Sequence, residues 1–281
     1  MTKIHAIQTG TVRVKETQRV GRGFGPLRQL NILLDRSWSE PLPILAWAIE
    51  TRGGVVVVDT GETARTRDAD YFPRWHPYFR LAVQLDVAPE QEIGPQLLNL
   101  GIHPKDVRTV IMTHLHTDHA GGLQHFPNSE ILVTAEELRL ARGFAGRLRG
   151  YLPNHWPAWF TPSPVAFSSG AFGSFERCHR PTPDGNVVIV PTPGHTPGHA
   201  SVIVLDGEVS YFLAGDATYT QQSLLDLSVD GVSPSHSVSL ATLRTIQSYA
   251  RSHRTVYLPS HDPEAVERLE SVQTVSHGDG V

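Results

Sequence analysis

The apolar, β-branched run at residues 107–113 ends at His114-Leu115-His116-Thr117-Asp118-His119, and Ala120-Gly121-Gly122-Leu123 follows. Four metal-competent side chains, His114, His116, Asp118 and His119, thus fall within one hexapeptide. The pattern predicts a strand that delivers the chain to a turn, with a helix starting at about Asp118. On extended backbone, residues i and i+2 share a face, so His114 and His116 can converge on one ion. Asp118 and His119 lie past the bend and are better aimed at a second. A histidine-rich surface loop is the plain alternative.

Three later segments offer what two metals would still lack. Pro191-Thr192-Pro193-Gly194-His195-Thr196-Pro197-Gly198-His199 follows a buried-looking strand at 187–190. Leu213-Ala214-Gly215-Asp216 closes a strand at 209–214 with an acid, and Val256-Tyr257-Leu258-Pro259-Ser260-His261 ends in a histidine. Each is an apolar strand stopping at a potential ligand, as expected when one end of a sheet carries the site.

This ordered set resembles the metallo-β-lactamase superfamily, whose dinuclear members carry His-x-His-x-Asp-His, a later His, a bridging Asp and a last His. The resemblance covers about residues 44 to 270. It implies an α/β fold, a four-layer αββα sandwich with metals at one edge between the sheets. It also implies that His114, His116 and His195 hold one metal, that Asp118, His119 and His261 hold the other, and that Asp216 bridges. Asp59, in Val55-Val56-Val57-Val58-Asp59-Thr60-Gly61, fits the superfamily's early strand-end Asp, which supports the site without binding metal. His199 is read as a hydrogen-bonding residue rather than a ligand. Two divalent ions are implied. Imidazole and carboxylate donors with open positions for water suit zinc, and iron, manganese or cobalt fit the same donors.

The 281 residues, 40% hydrophobic and 19% charged, can bury a large core. One domain over 1–281 is expected, because ligands come from both halves. A formal charge of −4 gives no basic footprint for nucleic acid. The single cysteine, Cys178, excludes an internal disulfide and falls in no metal motif. Met1-Thr2-Lys3-Ile4-His5-Ala6 lacks a secretory apolar core, and no stretch approaches the roughly 20 apolar residues of a membrane span. A cytoplasmic protein is the expectation.

Strands are expected at 4–8, 29–34, 44–50 and 55–59, then a helix at 93–100, a strand at 131–134 and a helix at 135–141. Further strands are expected at 187–190, 200–205 and 209–214. A helix over 238–252 follows from Leu240, Leu243, Ile246 and Ala250 at helical spacing. Gly21-Arg22-Gly23-Phe24-Gly25 resembles a phosphate loop only superficially. With no helix expected after it, it reads as a flexible hairpin or flap. Residues 63–92 and 143–186, rich in aromatics, prolines and glycines, read as insertions that form a lid, a pocket wall or a homodimer seam. Trp156 and Trp159 are the aromatics expected to hold an apolar substrate tail.

Typical metallo-β-lactamases lack the Asp-His pair of the first motif or use Cys where Asp216 stands. Hydroxyacylglutathione hydrolases continue Gly-Asp-Thr-Leu-Phe, whereas this chain has Gly215-Asp216-Ala217-Thr218-Tyr219. That segment resembles the N-acyl homoserine lactone lactonases, the quorum-quenching branch. The resemblance implies a small-molecule lactone as partner, with neither nucleic acid nor membrane. It implies attack on the ring carbonyl by a hydroxide shared between the metals. Tyr219 would stabilise the developing oxyanion and Asp118 would shuttle a proton to the ring oxygen. Other readings are a different lactone or ester hydrolase, such as one acting on a pyridoxine-derived lactone, a phosphotriester hydrolase, or a non-enzymatic metal-binding sensor or scaffold.

Overall fold

The computed structural model describes residues 2–23 and 25–276; Met1, Phe24 of the glycine-rich segment, and residues 277–281 lie outside the described residues. Strand-forming alternation builds two sheets. The larger contains β1 (Lys3–Val14), β2 (Leu42–Thr51), β3 (Gly54–Val58), β4 (Val83–Asp86), β5 (Val107–Ile111), β6 (Glu130–Thr134) and β7 (Ser163–Val165), in the order β4-β1-β2-β3-β5-β6-β7. The smaller contains β8 (Val187–Pro191), β9 (Ala200–Asp206), β10 (Val209–Gly215) and β11 (Arg254–Pro259), in the order β11-β10-β9-β8.

Period-2 alternation divides each strand's side chains between two apolar layers. On β2, Leu45, Trp47 and Ile49 enter the space between the sheets, where they meet Val187 and Ile189 of β8 and Val202 of β9. Ala46 and Ala48 face the other way, toward Ile93 and Leu97 of the helix Ile93–Asn99. On β8, Val188 and Val190 likewise turn outward to Leu243, Ile246 and Tyr249 of the helix His236–Ser252. Helices therefore cover both outer faces, giving the expected αββα sandwich. Among the described residues no helix is long and apolar enough to cross a membrane.

Strand direction decides where chemistry can gather. β3, β5 and β6 run parallel, so β3 and β5 end at the same edge of their sheet. In the smaller sheet β8 and β10 are both antiparallel to β9, and β11 is parallel to β10. The carboxyl ends of β8, β10 and β11 therefore share one edge, and there the two sheets are joined by Leu45 N donating to Ser260 O at 2.9 Å.

Two sequence expectations are corrected. Residues 29–34 form no strand; they belong to the helix Pro26–Leu34. Its short apolar run satisfies either period, and Pro in the first turn favours the helix. The glycine-rich segment does therefore precede a helix. Ile32 of that helix is buried while Leu27, Leu30 and Leu34 are exposed. The insertions also carry more regular structure than expected: β4 pairs with β1, and β7 pairs with β6.

Candidate active site

Asp59 follows β3 with φ of 58°, a left-handed backbone that is costly for any residue with a Cβ. The turn aims its carboxylate across the sheet edge. Oδ1 accepts from Thr113 N at 2.8 Å, and Oδ2 accepts from Thr113 Oγ1 and His119 Nδ1, both at 2.8 Å. Gly215, φ 56°, makes the matching turn before Asp216. A Cβ there would lie 2.8 Å from His199 Nε2 and 2.9 Å from Thr113 Cβ, so only glycine fits.

All seven expected ligands meet at this edge. His114, His116 and His195 form one cluster, His114, His119 and Asp216 a second, and Asp118, His119 and His261 a third. His116 Nδ1 lies 3.1 Å from both His114 Nε2 and His195 Nε2. Nitrogens that ligate one tetrahedral ion at 2.0–2.1 Å stand about 3.4 Å apart, close to this spacing. Asp216 lies between the groups: Oδ1 is 3.2 Å from His119 Nε2 and 3.4 Å from His261 Nε2, and Oδ2 is 3.4 Å from His195 Nε2.

Neighbouring acceptors set the tautomers. His119 Nδ1 donates to Asp59, His195 Nδ1 to Asp230 Oδ2 at 3.3 Å, and His261 Nδ1 to Pro43 O at 2.9 Å. His114 Nδ1 donates to Thr113 Oγ1 at 3.1 Å, because that hydroxyl spends its own proton on Asp59. In its neutral form each of these four rings presents a bare Nε2 to the cluster. His199 does something else: its Nε2 accepts from Asp216 N at 3.1 Å, and its Nδ1 meets Thr192 Oγ1 at 2.9 Å. It is a hydrogen-bonding residue, as expected, and what it anchors is the Asp216 backbone.

A divalent cation fits the donor set. Among the described residues His119 Nε2 and Asp216 Oδ1 are buried without a hydrogen-bond partner, a costly arrangement that a cation between them would relieve. Burial pushes His116 down to about 3, leaving a neutral donor. Burial also disfavours the charged form of His261, but Asp216 and Asp118 outweigh it and raise the imidazole to about 10. For Asp118, burial opposes ionisation, yet His261 and His119 hold it down to about 2. A proton therefore competes with a cation at His261, so metal uptake releases protons.

Tyr219 lies at the wall of a cavity of about 570 Å³ beside the cluster, its ring stacked on His261 at 5.5 Å between centroids. Asp118, His116, His195 and Asp216 line the same cavity. Its apolar wall comes from Ile32, Leu33, Trp75, Phe79, Leu140 and Leu148. The expectation for Trp156 and Trp159 is corrected here. Both pack against the outer core under the larger sheet, and Trp156 borders a separate, smaller cavity. Both insertions reach the cavity: 63–92 supplies Trp75, Tyr78 and Phe79, and 143–186 supplies Leu148 and Tyr151, whose ring lies 4.8 Å from that of His116.

Sequence reasoning missed the buried acids behind the ligands. Asp230 orients His195, and its Asp-Gly pair signals only a turn. Glu137 accepts from Leu115 N, Tyr151 Oη and Thr196 Oγ1 at 3.0, 2.8 and 2.6 Å, tying together the segments that carry His114, His116 and His195. Glu62 accepts from Tyr71 Oη at 3.1 Å, and burial pushes its carboxyl up to about 8. Between its ordinary 4.5 and that value the folded protein holds a proton that the unfolded chain has released. Stability from this group is therefore present at low pH and is lost as pH rises through about 8. At about 1.4 kcal/mol per unit the effect amounts to a few kcal/mol. Glu62→Gln is expected to flatten the melting temperature against pH between about 5 and 9. Parallel profiles for variant and wild type would show that Glu62 does not titrate there.

The metallo-beta-lactamase superfamily pattern matches residues 39–261. The N-acyl homoserine lactonase AttM of Rhizobium radiobacter is 26% identical over 273 residues, which is 94% of each chain. The N-acyl homoserine lactonase AiiA of Bacillus thuringiensis is 25% identical over 231 residues, 79% of this chain and 82% of that one. In fold, the chain is similar to an N-acyl homoserine lactone hydrolase solved with N-hexanoyl-L-homoserine at its catalytic metal centre. The TM-score is 0.74 and the identity 21%, covering 94% of this chain and 95% of that one. With strand ends, cluster and family match in agreement, this chain belongs to the metallo-β-lactamase superfamily.

Proposed function

We propose that the protein is a dinuclear-metal hydrolase that opens the lactone ring of N-acyl homoserine lactones. The observation that carries this reading is Asp216, which turns one oxygen to His119 and His261 and the other to His195 beside an apolar cavity. His114, His116 and His195 would hold one ion, Asp118, His119 and His261 the other, and Asp216 both, with zinc as the first choice of metal. When bound, two divalent ions activate the ester carbonyl as Lewis acids and acidify water.

The chain's own groups do the rest. Asp59, Asp230 and the Pro43 carbonyl orient three of the imidazoles. Tyr219 donates a hydrogen bond from its hydroxyl to the carbonyl oxygen as negative charge builds there. Asp118, a carboxylate at neutral pH, takes the proton released by the attacking water and passes it to the departing ring oxygen. Water adds across the ester C–O bond, and the product carries a carboxylate and a free hydroxyl. The exposed Leu27, Leu30 and Leu34 support a homodimer.

The acyl tail fits against Phe79 and Leu148. Each enclosed CH₂ contributes about 0.8 kcal/mol, or roughly fourfold in specificity. A zinc- or cobalt-loaded sample should show kcat/KM rising with acyl length until the cavity is filled, and Phe79→Ala should flatten that rise. A thioester and a phosphotriester serve as comparators and should be turned over poorly. A wild type that prefers small polar lactones and ignores acyl length would overturn the acyl-homoserine assignment.

A further inference from the structure

Gln18 has no part in the sequence motifs, yet it is 3% exposed and borders the main cavity. Its Nε2 donates to Tyr219 Oη at 2.8 Å and to Tyr78 Oη at 2.9 Å. Its Oε1 is buried without a partner among the described residues. The reverse orientation of the amide would strand two N–H donors in place of one carbonyl oxygen, a larger penalty. The backbone around Gln18 is fixed as firmly. Gly231 N donates to Gln18 O at 2.8 Å, and a Cβ on Gly231 would lie 2.2 Å from Thr17 O. That contact ties Gln18 to the loop whose Asp230 orients His195.

A phenol oxygen that accepts from an amide must direct its own hydrogen elsewhere. Neither hydroxyl has another hydrogen-bond partner among the described residues, and both tyrosines line the cavity. The two hydrogens of an amide nitrogen diverge by about 120°, which places the phenol oxygens about 5 Å apart. In a lactone bearing an acylamino group beside its carbonyl, the ester and amide carbonyl carbons are three bonds apart, and their oxygens can span that distance.

Given the lactonase reading above, we propose that Gln18 is a positioning residue that holds Tyr219 and Tyr78 as paired O–H donors. Tyr219 serves the ester carbonyl oxygen and Tyr78 the oxygen of the N-acyl amide, so the site selects lactones that carry an acylamino group.

The test compares N-octanoyl homoserine lactone with an alkyl γ-lactone of matched chain length that lacks the amide, with metal content and melting measured for every sample. Tyr78→Phe is expected to lower kcat/KM about tenfold on the acylated lactone and less than about threefold on the alkyl lactone. Gln18→Glu presents a carboxyl with at most one proton to give, so it should turn the phenol protons away from the substrate. Its kcat should fall about tenfold or more below that of Gln18→Met on both substrates, at full metal content. Equal losses on the two lactones in Tyr78→Phe, or Gln18→Glu matching Gln18→Met, would overturn the pairing while leaving the lactonase reading intact. A wild type inert toward the acylated lactone would overturn both. If Gln18→Glu does not fold, Gln18→Met decides against wild type: a lower kcat with full metal supports the positioning role, and an unchanged kcat refutes it.

Discussion

Asp216→Ala is expected to deplete both ions and to lower lactone turnover by a thousandfold or more. Its two carboxylate oxygens face different imidazoles, His119 and His261 on one side and His195 on the other. Removing them takes an anionic donor from each half of the cluster and leaves raised, proton-holding histidines such as His261 without their counter-charge. Lewis-acid activation is worth several kcal/mol at the transition state, and each 1.36 kcal/mol is a decade in rate, so a loss of about three decades is the modest expectation. His116→Ala gives the contrast. Its Nδ1 lies 3.1 Å from His114 and His195 of one half of the cluster, so this variant should lose about one equivalent and retain the other. Metal analysis of the purified variants decides the matter. Full two-ion occupancy in both would show that the ligand assignment is wrong.

That the seven candidate ligands come together was legible in the sequence for a physical reason. Each sits where a hydrophobic strand stops, and parallel strands bring their carboxyl ends to one edge, so strand-end His and Asp residues are neighbours by topology. The residues that orient the ligands obey no such rule. Thr134-Ala135-Glu136-Glu137 reads as a helix capping box, and Thr134 Oγ1 does accept from Glu137 N at 3.2 Å. The Glu137 carboxylate nevertheless turns inward to Leu115, Tyr151 and Thr196, contacts that are set by tertiary packing. Gln18 lies some 200 positions from Tyr219 along the chain, and no periodicity connects them. The helix Pro26–Leu34 was hidden by a short apolar run compatible with either period. The choice of tryptophans failed because an aromatic's place in an irregular segment does not say which side of it faces the cavity.

Tyr219→Phe is expected to keep both ions and lose about ten- to a thousandfold in kcat, with KM changed little. The ring is buried and stacks on His261, and phenylalanine preserves that contact, so the ligand geometry should survive. What disappears is one O–H donor. Removing a single donor from an oxyanion hole costs about 2.7–4 kcal/mol, which sets the upper end of the range. The lower end applies if the ions carry most of the developing charge. A loss confined to kcat separates this role from ground-state binding, because an interaction made only in the transition state lowers kcat and kcat/KM together. The variant also leaves the Gln18 amide with one phenol instead of two, so some of its effect should pass through Tyr78. A Tyr219→Phe, Tyr78→Phe double variant should therefore lose less than the product of the single losses. Unchanged kinetics on every lactone would reduce Tyr219 to a packing residue and remove the main chemical argument for lactone opening at this site.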